Sequence, residues 1–248
     1  MSKERRGFKE ATRFLRARLS PEGFLGLHLT VGMLLIILTG WCFSEIAEDF
    51  AKPGWLASMD RNAADAFHSI VTPNLTRFVR SVTFLGSVGF VSAISAAVIG
   101  VLVWRKAFYP LRLFVLTMLG GSILNVVLKH LFHRHRPVLE NPLVTLSSYG
   151  FPSGHTMGST MFWGCLAILA ATTARHWQAR VLWFVGAGIW VAIIGATRIY
   201  LGAHYFTDVI GAVAAGSAWL ALCWTAVVTL RQWRLRDRPR RVHQDARS

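Results

Sequence analysis

Charged side chains are scarce in this sequence of 248 residues: Asp, Glu, Lys and Arg together make up 16%, whereas hydrophobic residues make up 53%. A soluble domain usually carries about 25% charged residues, so the composition argues against a soluble enzyme and favours a membrane protein. Cysteine is also sparse: the chain has three, Cys42, Cys165 and Cys223, and each stands alone in an apolar stretch. Scattered cysteines give neither a disulfide framework nor a metal-binding pattern. No cluster of carboxylates offers the oxygen ligands that Mg²⁺ requires.

Basic residues outnumber acidic ones by 27 to 12, which gives a formal net charge of +15. Two basic tails, residues 1–23 and 231–248, supply nine of these net charges. Basic tails beside apolar segments are typical of cytoplasmic anchors that face anionic lipids. No motif that reads bases accompanies them, so nucleic acid is not an expected partner.

Six apolar segments lack Asp, Glu, Lys and Arg, and each is close to the length of about 17–25 residues that crosses a bilayer as a helix. They are 24–43, 84–104, 113–128, 154–174, 181–197 and 209–230. We therefore predict an all-α integral membrane protein, a bundle of six transmembrane helices. The first segment could be a secretory signal, but no convincing cleavage site follows it, so we expect it to be retained. No internal repeat or linker is evident, which predicts a single domain over 1–248.

Small residues recur inside the third, fifth and sixth segments. They include Gly120, Gly121, Gly186, Gly188, Gly211 and Gly216. Because small residues let two helix backbones approach closely, we predict tight helix–helix contacts at these positions.

An even number of spans places both tails on the same side of the membrane. With the tails cytoplasmic, the first outer loop, 44–83, holds five acids against four bases, as the positive-inside rule expects. We predict a bacterial inner-membrane protein with both termini in the cytoplasm. Apolar residues at three- and four-residue spacing in this loop predict an interfacial helix ended by Pro73, which could shape lipid access or pack against the spans. They are Trp55, Leu56, Met59, Ala63, Phe67 and Ile70.

The second outer loop, 129–153, breaks the charge rule, because it holds three cations against the single acid Glu140. The cations are Lys129, Arg134 and Arg136, and His130, His133 and His135 lie among them. The third outer loop brings Arg198, His204 and Asp208 to the same membrane face. The positive-inside rule expects few cations in an outer loop, so cations gathered there indicate a bound anion. A lone interfacial cation usually only snorkels, so the inference depends on these segments meeting.

The spacing within the first two of these segments suits an anion. Lys129 and Arg136 are seven residues apart, so they lie about 10 Å apart on one helical face if the third span extends that far. Pro137 would then stop this helix. Before the fourth span, Ser153 can cap the helix, and Gly154 lets an anion approach the free N–H groups and the helix dipole.

Two histidines could carry chemistry. His155, in the first turn of the fourth span, has its charged form disfavoured by the helix dipole, and a bound phosphate would restore that form, which suits a proton donor. His204 and Asp208 are four residues apart, neighbours if they share a helical face. A carboxylate that accepts from one imidazole nitrogen leaves the other free to attack. A lone His–Asp pair is often structural, but three converging segments favour phosphate chemistry.

The three segments resemble the three-part signature of the type 2 phosphatidic acid phosphatase superfamily, which includes bacterial lipid phosphatases and vanadium haloperoxidases. They are Lys129 through Arg136–Pro137, Pro152–Ser153–Gly154–His155, and Thr197–Arg198 through His204 to Asp208. All three occur in order with the right internal spacing, and the six-span layout extends the resemblance over nearly the whole chain. Thr197 stands where the family usually has serine, so a hydroxyl is retained.

The resemblance implies a phosphatase that needs no metal or cofactor. The phosphate would be bound by Lys129, Arg136, Ser153, Gly154 and Arg198. The resemblance further implies that His204, oriented by Asp208, attacks phosphorus and forms a phosphohistidine. His155 would protonate the leaving oxygen and then activate water.

Other histidines have other interpretations. His130, His133 and His135 could bind zinc, although their spacing is poor and no fourth ligand is obvious. His28, inside the first span, is interpreted as a hydrogen-bonded core histidine rather than a relay.

A phosphate site at the outer bilayer surface favours an amphiphilic substrate whose head group reaches the periplasm. Bacterial members of the family imply undecaprenyl diphosphate, phosphatidylglycerol phosphate, phosphatidic acid or lipid A 1-phosphate. We expect undecaprenyl diphosphate and/or phosphatidylglycerol phosphate. The alternatives are a lipid A 1-phosphatase, a lipid phosphotransferase and a non-enzymatic lipid carrier.

Overall fold

The computed structural model describes residues 27–49, 54–137, 143–144 and 146–245, without the side chains of 27, 28, 49 and 236–245. All regular structure in these residues is helical, so the all-α prediction is confirmed. The helices are α1 Leu27–Asp49, α2 Trp55–His68, α3 Pro73–Phe84, α4 Val88–Trp104, α5 Phe108–Val115, α6 Gly121–Phe132, α7 Gly154–Thr173, α8 Trp177–Tyr200 and α9 Phe206–Asp245; a π-helical turn, Leu116–Gly120, joins α5 to α6. The predicted tail 1–23 and the His28 side chain lie outside the described residues.

Five helical segments of the described chain are long and apolar enough to cross a membrane. They are Leu29–Glu48, Pro73–Trp104, Phe108–Phe132, Trp177–Tyr200 and Phe206–Leu235. The predicted span 154–174 exists as helix α7 but is not among the five, and so the count of six spans is not confirmed. Its first turns are rich in hydroxyls, with Thr156, Ser159 and Thr160 all buried. These side chains make α7 less apolar than a helix whose surface meets lipid.

Helix α7 lies at the centre of the bundle. It packs against α4, α5, α6, α8 and α9, and α9 also packs along α1. Met157, Met161 and Cys165 follow one another at four-residue spacing and are all buried. This spacing places them on one helical face, where Phe114 and Phe162 pack against one another within the same core.

The glycines divide into two groups. A Cβ atom on Gly121 would collide with Met161 of α7, so the prediction of close helix approach holds there; one on Gly211 would collide with Phe151, which lies in the loop before α7. The prediction is wrong for Gly186 and Gly188, where a Cβ atom would meet nothing within 4 Å. These two glycines lie on open faces of α8.

The predicted helix of the first loop is present as α2. It ends at His68, before Pro73, and packs against α8 and α9. Pro73 does not end it but begins α3, at a helix start where proline's missing N–H costs nothing. The Thr72 side chain caps this start by accepting a hydrogen bond of 3.3 Å from Leu75 N. The location of α2 at a membrane interface stays a prediction.

Helix α6 ends earlier than the sequence suggested. His133 takes a left-handed conformation with φ of 46°, and its N–H donates to Lys129 O at 3.1 Å. This single hydrogen bond is typical of a left-handed helix C-terminus. The prediction that Lys129 and Arg136 share a helical face is therefore wrong, because Arg136 lies in the loop beyond the helix.

Candidate active site

The residues singled out in the sequence meet at one end of the bundle, where α6 and α8 end and α7 and α9 begin. Lys129 comes from α6, Arg134 and Arg136 from the loop after it, Ser153, Gly154 and His155 from the start of α7, Arg198 from α8, His204 from the turn before α9, and Asp208 from α9. The backbone joins two of these starts directly, since Ser153 N donates to Asp208 O at 3.2 Å. This hydrogen bond holds the start of α7 against the start of α9.

His204 and Asp208 are neighbours across a helix start. His204 precedes α9 by two residues, so the pair does not share a helical face, yet His204 Nδ1 lies 3.5 Å from Asp208 Oδ2. Both side chains are buried. The separation exceeds an ordinary hydrogen bond of about 2.9 Å, and Nδ1 has no other partner among the described residues. Asp208 Oδ2 also accepts from Tyr205 N at 2.9 Å, which fixes the carboxylate.

The other imidazole nitrogen faces a guanidinium. His204 Nε2 lies 3.1 Å from Arg136 Nη1. Arginine can only donate, so Nε2 must accept, which assigns the ring proton to Nδ1 beside Asp208. Burial lowers the pKa of His204 to about 4; Asp208 opposes this shift, and Arg136 and Arg198 add to it. The ring is therefore neutral near pH 7 and has its lone pair on Nε2.

Arg136 is held by backbone carbonyls from two loops. Its Nε donates to Ser148 O and its Nη1 to Ala203 O, both at 2.6 Å, and its Nη2 donates to Tyr149 O at 3.2 Å. Burial lowers the pKa of Arg136, but an arginine remains protonated in proteins. A fixed positive charge thus lies directly against His204.

Two further cations complete a positive pocket. Lys129 Nζ donates to Tyr149 O at 2.6 Å, and Arg198 Nη1 donates to Thr83 Oγ1 at 3.0 Å. Lys129, Arg136 and Arg198 are close enough to interact electrostatically. Arg198 is buried, and its Nε has no partner among the described residues. A buried donor left unpaired costs about 1–3 kcal/mol, so an anion beside Arg198 would be stabilised.

The start of α7 differs from the sequence prediction in one respect. Ser153 occupies the N-cap position, but its side chain does not cap the backbone; instead Ser153 Oγ accepts from Thr156 Oγ1 at 3.0 Å. The first-turn N–H groups keep no intrahelical partner, and the helix dipole adds positive potential there. His155, in the same turn, interacts electrostatically with His204 and with all three cations of the pocket. A Cβ atom on Gly154 would lie 3.3 Å from Asn125 Oδ1.

Thr197, the departure from the signature, is buried in α8. Its hydroxyl donates to Ile194 O of its own helix at 2.6 Å. No hydrogen bond between this hydroxyl and a cation of the pocket is seen in the described part of the chain.

A second buried carboxylate, that of Asp60 on α2, was missed by the sequence reasoning. Its Oδ1 accepts from Thr207 N at 2.8 Å, and its Oδ2 accepts from Thr207 Oγ1 at 2.7 Å and from Arg134 Nη2 at 2.8 Å. The same guanidinium donates through Nη1 to Asp208 Oδ1. Arg134 thus joins the first-loop helix to the carboxylate beside His204. In the sequence, the available sign of this role was an acidic residue directly beside the apolar stripe of α2.

The three remaining histidines of the loop do not form a metal site in the structure. The rings of His130 and His133 pack edge-on against Tyr149, and His130 Nδ1 contacts Val126 O at 2.8 Å. Among the described residues, no three His, Cys, Asp or Glu side chains are placed to share a metal ion. The zinc interpretation therefore has no structural support.

Comparison with known proteins decides the family. The profile of the PAP2 superfamily matches residues 110–232. Phosphatidylglycerophosphatase B of Bacillus subtilis (strain 168) is 30% identical over 164 residues, which span 64% of this chain and 78% of that protein. The chain belongs to the PAP2 superfamily. The resemblance drawn from the three motifs is confirmed, and the matched range contains every site residue named above except Asp60 and Thr83.

Two further comparisons extend this assignment. The crystal structure of a transmembrane PAP2-type phosphatidylglycerolphosphate phosphatase from Bacillus subtilis superposes with a TM-score of 0.68 at 27% identity, covering 76% of this chain and 93% of that one. Lipid A 1-phosphatase of Rhizobium johnstonii is 40% identical over 81 residues, 33% of this chain and 28% of that protein. This PAP2 protein is therefore a membrane-embedded, multi-pass phosphatase that hydrolyses phosphate esters.

Proposed function

We propose that this PAP2 phosphatase hydrolyses a lipid phosphate or diphosphate through a phosphohistidine formed on His204. The observation that carries the proposal is the environment of this imidazole. It is buried and neutral, its Nδ1 faces Asp208, and its Nε2 faces the positive pocket. A histidine nucleophile needs this combination of a fixed tautomer and a lone pair on the ring nitrogen that faces the phosphate.

The positive pocket would hold the phosphate. Lys129, Arg136 and Arg198 would bind its equatorial oxygens, and Ser153 with the Gly154 amide would complete the site. The unpaired Nε of Arg198 supports this role, since it supplies a donor that an oxyanion would satisfy. Fixed cations stabilise the charge that accumulates on phosphoryl oxygens in the transition state.

The reaction would proceed in two displacements. In the first, His204 Nε2 attacks phosphorus, the bond from phosphorus to the leaving oxygen breaks, and His155 donates a proton to that oxygen. Asp208 stabilises the positive charge that the ring gains. In the second, His155 takes a proton from water, the water oxygen attacks phosphorus, and the phosphorus–nitrogen bond breaks to release phosphate.

An apolar groove supports a lipid substrate. It has a volume of about 460 Å³ and lies between α1, α7, α8 and α9, beginning at Val209, the residue after Asp208. Along α9 it continues to Trp224, fifteen residues or about 22 Å further. We propose that this groove holds the hydrocarbon chain while the head group lies at the positive pocket.

We propose undecaprenyl diphosphate and/or phosphatidylglycerol phosphate as the substrate. The names of the Bacillus subtilis relative and of the matched crystal structure favour the second of these. Lipid A 1-phosphatase is a second candidate, because the relative of that name is 40% identical over 81 residues.

The proposed location follows from the charge pattern. We propose a single domain in the bacterial inner membrane, with both termini cytoplasmic and the phosphate site facing the periplasm. The basic tails and the acidic first outer loop support this orientation. Reporter fusions in the 143–147 loop and at the C-terminus should lie on opposite sides of the membrane, and the same side for both would refute it.

The decisive experiment measures free phosphate released by the purified protein in detergent from four lipids. These are phosphatidylglycerol phosphate, undecaprenyl diphosphate, phosphatidic acid and lipid A 1-phosphate. We expect one of the first two to be hydrolysed fastest, and a preference for lipid A 1-phosphate would favour the second candidate. Stoichiometric phosphate release counts against a phosphotransferase. Equal rates for wild-type protein and His204→Ala would support a lipid carrier and end the proposed mechanism.

A further inference from the structure

A second cavity lies far from the phosphate site. It has a volume of about 590 Å³ and lies between α5 with the following π-helical turn and the C-terminal half of α9. Arg231 lies 23 residues after Asp208 on the continuous helix α9, a rise of about 35 Å. Arg112 lies 17 residues before Lys129 on the α5–α6 segment, a rise of about 26 Å. The hydrocarbon core of a bilayer is about 30 Å thick, so this cavity opens at the opposite membrane surface.

The polar side of this cavity is strongly basic. Arg112, Arg231 and Arg234 line it, and none of the described residues that line it is acidic. The guanidinium of Arg231 stacks over the ring of Tyr109, with 4.6 Å from Cζ to the ring centroid. This contact holds one guanidinium against a wall of the cavity. Arg234 follows on the next turn of the same face.

The remaining walls are apolar. Val115 of α5 and Leu116 of the π-helical turn line the cavity together with Val227 and Leu230 of α9. Leu116 and Leu230 are about half exposed, at 49% and 54%. Both leucines lie in segments apolar enough to cross a membrane, so a hydrocarbon chain can pack against these walls, which offer a soluble anion no partner.

We propose that this cavity binds an anionic phospholipid of the membrane as a ligand that is not hydrolysed. The phosphate would pair with Arg231, Arg234 and Arg112, because guanidinium groups bind phosphate oxygens in a bidentate way. An acyl chain would lie between α5 and α9. Basic cavities between transmembrane helices bind anionic head groups in this manner. The distance from His204 separates this lipid from the substrate, so the inference goes beyond the proposed function and does not depend on it.

The test compares two double variants of the purified full-length protein. Arg231→Gln/Arg234→Gln removes two charges from the cavity, and Arg105→Gln/Arg175→Gln removes two exposed charges that do not line it. Native mass spectrometry measures retention of phosphatidylglycerol, with phosphatidylcholine as the neutral comparison. We expect wild-type protein and the Arg105/Arg175 variant to retain phosphatidylglycerol, and the Arg231/Arg234 variant to bind it at least tenfold more weakly. All three should release phosphate equally fast from a short-chain substrate.

Several outcomes would overturn the proposal. These are equal phosphatidylglycerol affinity in all three proteins, phosphatidylcholine binding as strong as phosphatidylglycerol binding in wild-type protein, or displacement of the lipid by millimolar inorganic phosphate alone. If the Arg231/Arg234 variant fails to fold, the single Arg112→Gln variant provides the same comparison on α5. It should also lose affinity for phosphatidylglycerol, and wild-type affinity there would count equally against the site.

Discussion

Arg134 Nη1 donates a hydrogen bond of 2.5 Å to Asp208 Oδ1, which leaves the other oxygen of this carboxylate on the side of His204. The opposite end of the guanidinium binds Asp60 on α2. The carboxylate beside the proposed nucleophile is therefore oriented by a helix from a distant part of the sequence. Two buried carboxylates share one partly buried guanidinium, so loss of one partner should disturb the others.

Asp60→Asn should lower kcat about tenfold to a hundredfold, because a small misplacement of a reacting group costs rates of that order. Asp60 is not expected to touch the substrate, so KM should change little. The amide retains the shape but loses the charge that holds Arg134. Phosphate release at several substrate concentrations separates kcat from KM.

Asp65→Asn is the matched control for Asp60, since Asp65 lies on the same helix but is exposed. It should leave kcat unchanged. A drop in thermal stability of Asp60→Asn with wild-type kcat would show that Asp60 only supports the fold. Restoration of kcat by Asp60→Glu would support a positioning role.

His204→Ala and His155→Ala should each lower the rate of phosphate release at least about a thousandfold, as loss of a nucleophile or its acid partner does. His68→Ala provides the control, because His68 is exposed at the end of α2. Thermal unfolding should show that all three variants remain folded. A folded His204→Ala variant with substantial activity would exclude the phosphohistidine.

The pH profile should reveal the buried imidazole. A protonated ring cannot attack phosphorus, so kcat/KM should follow the neutral fraction of His204. Its pKa is lowered to about 4 from 6.5 by burial, and the acid limb should accordingly have its midpoint near pH 4. Activity should be lost as the pH falls through that value and should be independent of this group above about pH 6.5. An acid limb near 6.5 that Asp208→Asn leaves unmoved would contradict the assigned environment.

Gly188→Phe should reduce kcat/KM for a long-chain lipid about tenfold, by displacing roughly two methylene groups at about 0.8 kcal/mol each. Gly188 lines the apolar groove proposed for the chain, and a Cβ atom there meets open space. Hydrolysis of a short-chain, water-soluble phosphate should be unaffected. Gly186→Phe, which fills a neighbouring groove, should change neither rate. Equal effects of the two variants would place the chain elsewhere.

Treatment with EDTA should leave the rate of well-washed protein unchanged, because lysine and arginine side chains supply the positive charge that the phosphate needs. Added Mg²⁺ or Zn²⁺ should not increase the rate. Strong inhibition by EDTA, reversed by one of these ions, would refute the proposal of a metal-independent reaction.

Local sequence patterns predicted most of the helices and most of the residues that meet at the site. Apolar runs indicated the helices, and the spacing of cations and histidines indicated which segments meet. The end of a helix was less predictable. His133 ends α6 in a left-handed conformation that glycine usually adopts, so no glycine marked the point beyond which Arg136 lies outside the helix. The hydrogen bond that Ser153 Oγ accepts was not predictable either, because the Thr156 hydroxyl and a backbone N–H of the first helical turn are both suitable donors.

Contacts over long separations were out of reach. Asp60 and Thr207 are 147 residues apart, and no local pattern relates an acid in the first loop to the start of α9. In the sequence, Asp60 was one of five acids in the first outer loop, and it bore only on the orientation of the protein in the membrane. Its burial depends on α2 folding back over the ends of α8 and α9, which single-sequence periodicity does not encode.

The helices that surround α7 shield its first turn, where His155 lies, from the lipid. Thr156 and Thr160 are buried against protein and hydrogen-bonded there, where hydrocarbon would leave such groups unsatisfied. The helices packed against α7 thus keep these hydroxyl groups away from hydrocarbon. His155 begins this protein-covered helix, so acyl-chain length and saturation in the host bilayer should have little influence on the intrinsic rate of phosphoryl transfer.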